Sequence, residues 1–153
     1  RHPGGEPADK QQQADNLELM LLTYGALDQL QARLAWHAQA VQRGETRTQD
    51  PYLGILTPAL VNAEDCNIFG YVSASNVKVL AIARDAGSMD KQQREKEDAI
   101  LKSLLRQLHQ LYVDAACNPF FQGLGGHSFA ASVAAAVERH AARLGQLVVP
   151  PAT

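Results

Sequence analysis

Three short β-type runs lie close together in the middle of the chain, and they constrain its fold more than any other feature. Residues 52–57, 66–72 and 77–83 are rich in apolar, aromatic and β-branched side chains. The segment 73–76 is short enough for a hairpin loop. The third run is apolar on both alternating faces, which is typical of a strand covered on both sides. The runs predict an antiparallel sheet that needs helices on each face.

The segment before the strands has the signals of a long amphipathic helix. Asp15 followed by Glu18 resembles a capping box and predicts that the helix begins there. Gly44 is its natural stop, so we expect a helix over residues 15–42. Apolar side chains at spacings of three and four predict its buried stripe. The predicted members are Met20, Thr23, Tyr24, Leu27, Leu30, Leu34, Ala38 and Val41.

The segment after the strands predicts two more helices. Residues 92–116 carry a wide apolar face, and residues 128–145 follow with Ser128 as a suitable N-cap. A run of strands followed by a pair of helices indicates an α+β domain with an antiparallel sheet. We expect one helix on one sheet face and two helices on the other.

Composition and charge are those of one ordinary globular domain. Of the 153 residues, 46% are apolar and 20% are charged, with a net charge of -2. This balance argues against a nucleic-acid partner, and no run of 18 apolar residues predicts a membrane span. We expect a flexible segment over residues 1–14, a single domain over 15–147 and a flexible tail over 148–153.

Residues that could carry chemistry are scattered rather than clustered. The histidines lack the spacing of a metal site, so we predict no metal and no cofactor. Cys117 lies at a helix C-terminus, where the helix dipole disfavours a thiolate, so no catalytic residue is assigned. The loop 123–126 is rich in glycine, but it follows a helix rather than a strand and lacks the Lys-Ser/Thr of a phosphate loop. His140 is expected to be a satisfied core or interface histidine.

The corner between the last two helices has two interpretations. Asn118, Pro119 and Phe120 form a tripeptide that some endocytic peptide-binding domains capture, but such a ligand must be exposed. Phe121 adds a second aromatic ring directly afterwards. Because burial of aromatic side chains is strongly favourable, we expect a structural corner in which at least one ring is buried.

The first helix also carries apolar residues away from its predicted buried stripe. Leu21, Leu22 and Trp36 point more than a right angle away from Leu27, and about 21 Å of helix separates Leu22 from Trp36. A large apolar residue and the only tryptophan on one outer ridge predict a partner-binding strip.

Several blocks resemble a known family when they are read in order. Residues 52–56 (YLGIL), 69–72 (FGYV), 77–79 (VKV) and 112–121 (YVDAACNPFF) are similar to the sedlin family, which includes the subunit 2-like proteins of the trafficking protein particle (TRAPP) complex. The resemblance implies a longin-like fold of two strands, a helix, three strands and two helices. It also implies a non-catalytic subunit whose partners are other TRAPP subunits and, indirectly, a Rab GTPase. The expected location is cytoplasmic, at the periphery of ER and Golgi membranes.

The family's first strand hairpin has no counterpart in this sequence. An uncovered sheet edge recruits other chains, so we expect either additional N-terminal residues or self-association or subunit pairing through that edge. A second interpretation is another longin-type trafficking module, namely a SNARE regulatory domain or a small adaptin-like chain. A small enzyme is the third interpretation, but no triad, metal cluster or phosphate loop supports it.

Overall fold

A computed structural model describes residues 6–45, 50–56, 66–84, 87, 89–121 and 123–148 of the chain. The described elements are three helices and a three-stranded antiparallel sheet, so the predicted α+β class is confirmed. The elements fall into two compact units. One unit holds the first helix, and the other holds the sheet and the two remaining helices.

The sheet has the predicted antiparallel pairing. Strands β1 (Tyr52–Ile55), β2 (Cys66–Val72) and β3 (Lys78–Arg84) lie in the order β1-β2-β3. The register places Phe69 opposite Ile55 on one side and Ala81 on the other. The last predicted residue of the first strand, at position 57, lies outside the described residues.

A tight hairpin connects β2 to β3, as predicted. The Ser73 N–H donates to the Val77 carbonyl at 2.9 Å, and the Val77 N–H donates to the Ser73 hydroxyl at 3.0 Å. Asn76 has a φ of 65°, a left-handed conformation that asparagine tolerates better than most residues. The loop therefore fixes the register that places apolar side chains on chosen faces of the sheet.

The second helix, α2 (Lys91–Ala116), begins with a complete capping box. The Asp90 carboxylate accepts from the Gln93 N–H at 2.8 Å, and the Gln93 side-chain oxygen accepts from the Asp90 N–H at 2.9 Å. Gln93 also donates from Nε2 to the Leu147 carbonyl at 2.9 Å. Leu147 lies at the end of the third helix, α3 (His127–Val148), so one side chain joins the start of α2 to the end of α3.

Helix α3 begins one residue before the predicted start. Ser128 therefore lies inside the first turn and does not cap it, and its carbonyl accepts from the Ser132 hydroxyl at 3.0 Å. The helix ends at Val148 instead of residue 145, and the rest of the predicted helix is confirmed, because its apolar residues recur at helical spacing.

The core of the larger unit lies between the sheet and α2. Phe69 and Tyr71 from β2 pack with Leu101 and Leu105 from α2, and all four are buried. Phe69 and Tyr71 are two positions apart, so they lie on the same face of the strand. Helix α2 contacts all three strands, and α3 packs against α2. Partly buried residues complete this core: Tyr52, Ile55, Val79, Ala81, Ala83, Ile100, Leu108 and Leu144.

The first helix, α1 (Glu6–Gln42), is longer than predicted. It begins at Glu6, so the predicted start at Asp15 is wrong, and residues 6–14 of the segment expected to be flexible lie in the helix. The reason is local, because residues 8–14 (ADKQQQA) contain strong helix formers and Pro7 lies in the first turn, where it is tolerated. Residues 1–5 and 149–153 lie outside the described residues.

The C-terminus of α1 follows the prediction. Gly44 has a φ of 73°, its N–H donates to the Val41 carbonyl, and the Glu45 N–H donates to the Ala40 carbonyl, each at 3.0 Å. This pair of bonds is a Schellman motif, which satisfies carbonyls that the helix leaves without partners.

The buried stripe of α1 differs from the predicted one. Its buried apolar residues are Leu22, Ala26, Leu30 and Ala40, whereas the predicted members Met20, Tyr24 and Val41 are exposed. The prediction was wrong in phase because apolar residues occur around much of α1. Spacing alone then fits more than one face.

Candidate interaction surfaces

Titratable and thiol groups form no metal site in the part of the chain that the structure describes. Cys66 is a half-buried free thiol, and Cys117 is an exposed free thiol beyond the last turn of α2. His140 is buried, with Nδ1 2.7 Å from the Ala136 carbonyl and Nε2 3.5 Å from the Ser103 hydroxyl. The prediction of a satisfied core histidine at position 140 is therefore confirmed.

Within the described ranges, no helix is both long enough and apolar enough to cross a bilayer.

A polar cluster joins the first strand to α2. The Tyr52 hydroxyl donates to Asp98 Oδ1 at 2.6 Å, and Lys102 Nζ lies 2.8 Å from Asp50 Oδ2. Burial, together with the hydrogen bond to Asp98, raises the pKa of Tyr52 above its usual value, so the phenol stays protonated. The hydrogen bond from Lys102, followed by that from the Tyr52 N–H, lowers the pKa of Asp50. Each of these side chains has a partner within the fold, so we interpret the cluster as a set of interactions that holds β1 against α2.

One exposed apolar surface on α1 is a row that we call the α1 stripe. It consists of Leu17, Met20, Leu21 and Tyr24, all exposed and spaced at i, i+3, i+4 and i+7. At 100° per residue, its centre lies roughly 180° around the helix from Leu22, Ala26 and Leu30. Helix α1 therefore carries apolar side chains on two opposite sides, one buried and one facing solvent.

The sequence prediction of an outer ridge on α1 is correct for exposure at two of its three residues. Leu21 and Trp36 are 58% and 61% exposed. Leu22 is only 5% exposed, so its placement on the ridge is wrong. The error follows from the phase of the buried stripe, which was predicted from Leu27 but includes Leu22. Two neighbouring leucines on a helix are 100° apart, so they cannot both follow the same face.

The edge of the sheet at β3 is a second candidate surface. Among the described strands, β3 has a neighbour on one side only. Beside it lies a groove of about 500 Å3 that is lined mainly by apolar residues of β3, α2 and α3. Leu80, Ile82 and the exposed Val137 are among them. Pairing through this edge stays a prediction.

The corner between α2 and α3 contradicts the prediction made for it. Phe120 is 84% exposed and Phe121 is 40% exposed, so neither ring is buried. Asn118, Pro119 and the two phenylalanines form a structural corner only in that they end α2 and turn the chain. The error arose because burial was inferred from aromatic character, whereas the local turn determines where the rings point.

Local hydrogen bonds define that turn. Asn118 Oδ1 accepts from the Phe120 N–H at 3.0 Å, and the Asn118 carbonyl accepts from the Phe121 N–H at 2.9 Å. The Cys117 N–H donates to the Val113 carbonyl at 2.9 Å and joins the turn to α2. An asparagine followed by proline could have indicated this turn from the sequence, because the asparagine side chain mimics a backbone acceptor. A cavity of about 630 Å3 lies beside the corner.

Comparison with known proteins identifies the family. Residues 4–139 match the family described as sedlin, so the chain belongs to the sedlin family. The family resemblance predicted from the sequence blocks is therefore confirmed, and the described α+β elements are compatible with the longin-like fold of that family.

Curated relatives agree with this assignment. The chain is 27% identical over 107 residues to the trafficking protein particle complex subunit 2-like protein of Bos taurus, covering 70% of this chain and 67% of the relative. It is 36% identical over 70 residues to the proteins of the same name from Xenopus tropicalis and Mus musculus. Those two alignments cover 46% of this chain and 43% of each relative.

Proposed function

We propose that this protein is a non-catalytic assembly subunit of a TRAPP-type vesicle-tethering complex. The observation that supports the proposal most is the sedlin-family match over residues 4–139, together with relatives named as TRAPP complex subunits. In this proposal the chain holds other subunits in place, and the assembled complex activates a Rab GTPase during transport between the ER and the Golgi. The protein then works in the cytoplasm, at the periphery of those membranes.

The α1 stripe is the surface that we assign to a partner subunit. Isolated exposed leucines are ordinary, but four large apolar side chains in consecutive helical register are the pattern of a helix that docks into an apolar groove. Apolar surface removed from water contributes roughly 25 cal/mol per Å2. Leu21 belongs to this surface, whereas exposed Trp36 lies about 110° around the helix from the centre of the stripe and is not part of it. Leu22 is excluded because it is buried.

The test combines two substitutions on the α1 stripe, Leu21→Asp and Tyr24→Asp, in an affinity purification with mass spectrometry from the source cell. Both side chains are exposed, so the thermal unfolding of the variant should match that of the parent chain. Capture of TRAPP subunits should fall at least tenfold, which corresponds to about 1.4 kcal/mol.

The matched control adds the same two charges to exposed positions of the same helix, with Gln12→Asp and Gln39→Asp. This control should capture TRAPP subunits as the parent chain does. Undiminished capture by the folded stripe variant would remove the α1 stripe from the proposal and leave the β3 edge as the next candidate. Capture of SNARE or adaptor proteins in place of TRAPP subunits by the parent chain would contradict the proposed function itself.

A further inference from the structure

The corner between α2 and α3 displays its apolar residues instead of burying them. Asn118, Pro119 and Phe120 are all exposed, and Phe120 at 84% is the most exposed large apolar side chain among the described residues. Leu124 is also exposed a few residues later. An aromatic ring in this position gains nothing from the core of the protein. It remains available to a partner, since aromatic residues dominate the binding energy of many interfaces.

The turn that carries the ring is already ordered. Its two inner hydrogen bonds, from Phe120 N–H to Asn118 Oδ1 and from Phe121 N–H to the Asn118 carbonyl, close one turn of backbone. Pro119 fixes one further backbone angle, and the Asn118 N–H donates to the Ala115 carbonyl at 3.2 Å at the end of α2. A ligand that is ordered before binding loses less conformational entropy on binding, which favours affinity.

We propose that residues 118–120 are a recognition motif for a peptide-binding domain whose apolar pocket accepts a single phenyl ring. Phe120 fills the pocket. The exposed Asn118 carboxamide offers N–H donors to a carbonyl at the pocket rim, while its oxygen maintains the turn. Pro119 lies between them and keeps the ring and the carboxamide on neighbouring positions of one turn. This is the chemistry of the Asn-Pro-Phe ligands of endocytic domains, displayed here on a folded corner.

The residues of the corner favour this occupant over a second copy of the chain, because Asn118, Pro119 and Phe120 together are the exposed tripeptide that such domains bind. The cavity beside the corner is bordered by Phe120 and Phe121 themselves, together with the glycines of the following loop, so it lies next to the ring that a partner must take up. A docked domain can cover Phe120 and contact that cavity with its rim at the same time. The inference does not depend on the proposed TRAPP function, because it concerns residues outside the α1 stripe.

The test is an NMR titration. A purified, isotope-labelled endocytic domain that binds Asn-Pro-Phe peptides is titrated with the full, unlabelled chain. Chemical shifts of the domain's pocket residues should change in a saturable way, and a synthetic Asn-Pro-Phe peptide should reverse the change. The Phe120→Ala and Asn118→Ala chains should each bind at least tenfold more weakly. Leu124→Ala removes a neighbouring exposed apolar side chain outside the motif and should bind like the parent.

Four results would overturn the proposal. The first is the absence of shift changes with the parent chain at millimolar concentration, and the second is a Phe120→Ala chain that binds as well as the parent. The third is a clear drop in the melting temperature of Phe120→Ala, since that would show that the ring is buried in solution. Self-association of the parent chain that Phe120→Ala abolishes would also contradict the motif, because a second copy would then occupy the corner.

Discussion

Helices α1 and α2 are both long, but they place their apolar side chains in different ways. In α2 the buried residues Leu101, Leu104 and Leu105 lie on one face toward the core. In α1 the buried Leu22, Ala26 and Leu30 lie on one side, and the α1 stripe lies on the opposite side. The buried apolar side chains of α2 therefore stabilise the fold. Helix α1 carries, in addition to its buried apolar residues, a row of apolar side chains that remains exposed.

The same contrast appears between single residues of one type. Phe69 in β2 is fully buried, and Phe120 at the corner is almost fully exposed. Aromatic character is the same in both, so position determines whether the ring stabilises the fold or is displayed. Residues of the core should affect stability when changed, and residues of the exposed surfaces should affect binding.

The largest expected effect comes from the core. Phe69→Ala should lower the free energy of unfolding by about 3–5 kcal/mol, because it removes a buried ring and leaves a cavity. The matched change Phe120→Ala should alter it by less than about 0.5 kcal/mol. Urea unfolding followed by circular dichroism measures both. Equal decreases in the free energy of unfolding of the two variants would contradict the distinction between a buried ring and an exposed one.

A smaller effect is expected when the comparison is made within α1. Leu30→Ala should lower the free energy of unfolding by about 2–5 kcal/mol, since Leu30 is fully buried. Leu21→Ala, on the exposed side, should change it by no more than about 0.5 kcal/mol. Thermal unfolding of the two variants in parallel provides the measurement. A loss at Leu21 as large as that at Leu30 would show that the α1 stripe is covered within the chain.

The smallest effect is expected in the polar cluster. Asp50→Asn should reduce the free energy of unfolding by at most about 1 kcal/mol near pH 7, because Asp50 and Lys102 are both partly exposed and solvent weakens their attraction. The pKa of Asp50 is lowered in the folded chain from its usual value of 3.8. Its contribution is therefore complete above about pH 5 and is lost as the pH falls through the folded pKa.

The measurement for this last prediction is a pair of stability curves against pH. The curves of the parent and Asp50→Asn chains should differ near neutrality and converge in acid. At high salt the difference should shrink at every pH, because the pair is accessible to counterions. A difference that grows in acid would contradict the assigned partners.

The sequence was informative where one face of an element is clearly apolar. The predictions agree with the structure to within a few residues for strands 66–72 and 77–83 and for helices 92–116 and 128–145. In these elements a two-residue or 3.6-residue period of apolar side chains fits only one face. The antiparallel pairing followed from the short connection at 73–76. Family membership followed from blocks that are mostly in these same elements.

The sequence was less informative where two faces of a helix are apolar. In α1 the periodicity fits both sides, so Leu22 was placed on the ridge and Met20 and Tyr24 in the core, opposite to what the structure shows. At the corner, the exposure of Phe120 depends on a turn whose hydrogen bonds involve the Asn118 side chain. Which side of an element meets its neighbours is a tertiary property, and local pattern determines it only when one side is polar.

The Gln93 side chain joins two helix ends, which affects how those ends unfold locally. Its side chain completes the capping box of α2 and donates to the Leu147 carbonyl in the last turn of α3. Helix ends usually fray independently, and their amide protons exchange with solvent at separate rates. Here fraying at the end of α3 releases a group that supports the first turn of α2. The amide protons of these two turns, far apart in the chain, should therefore exchange as one cooperative unit.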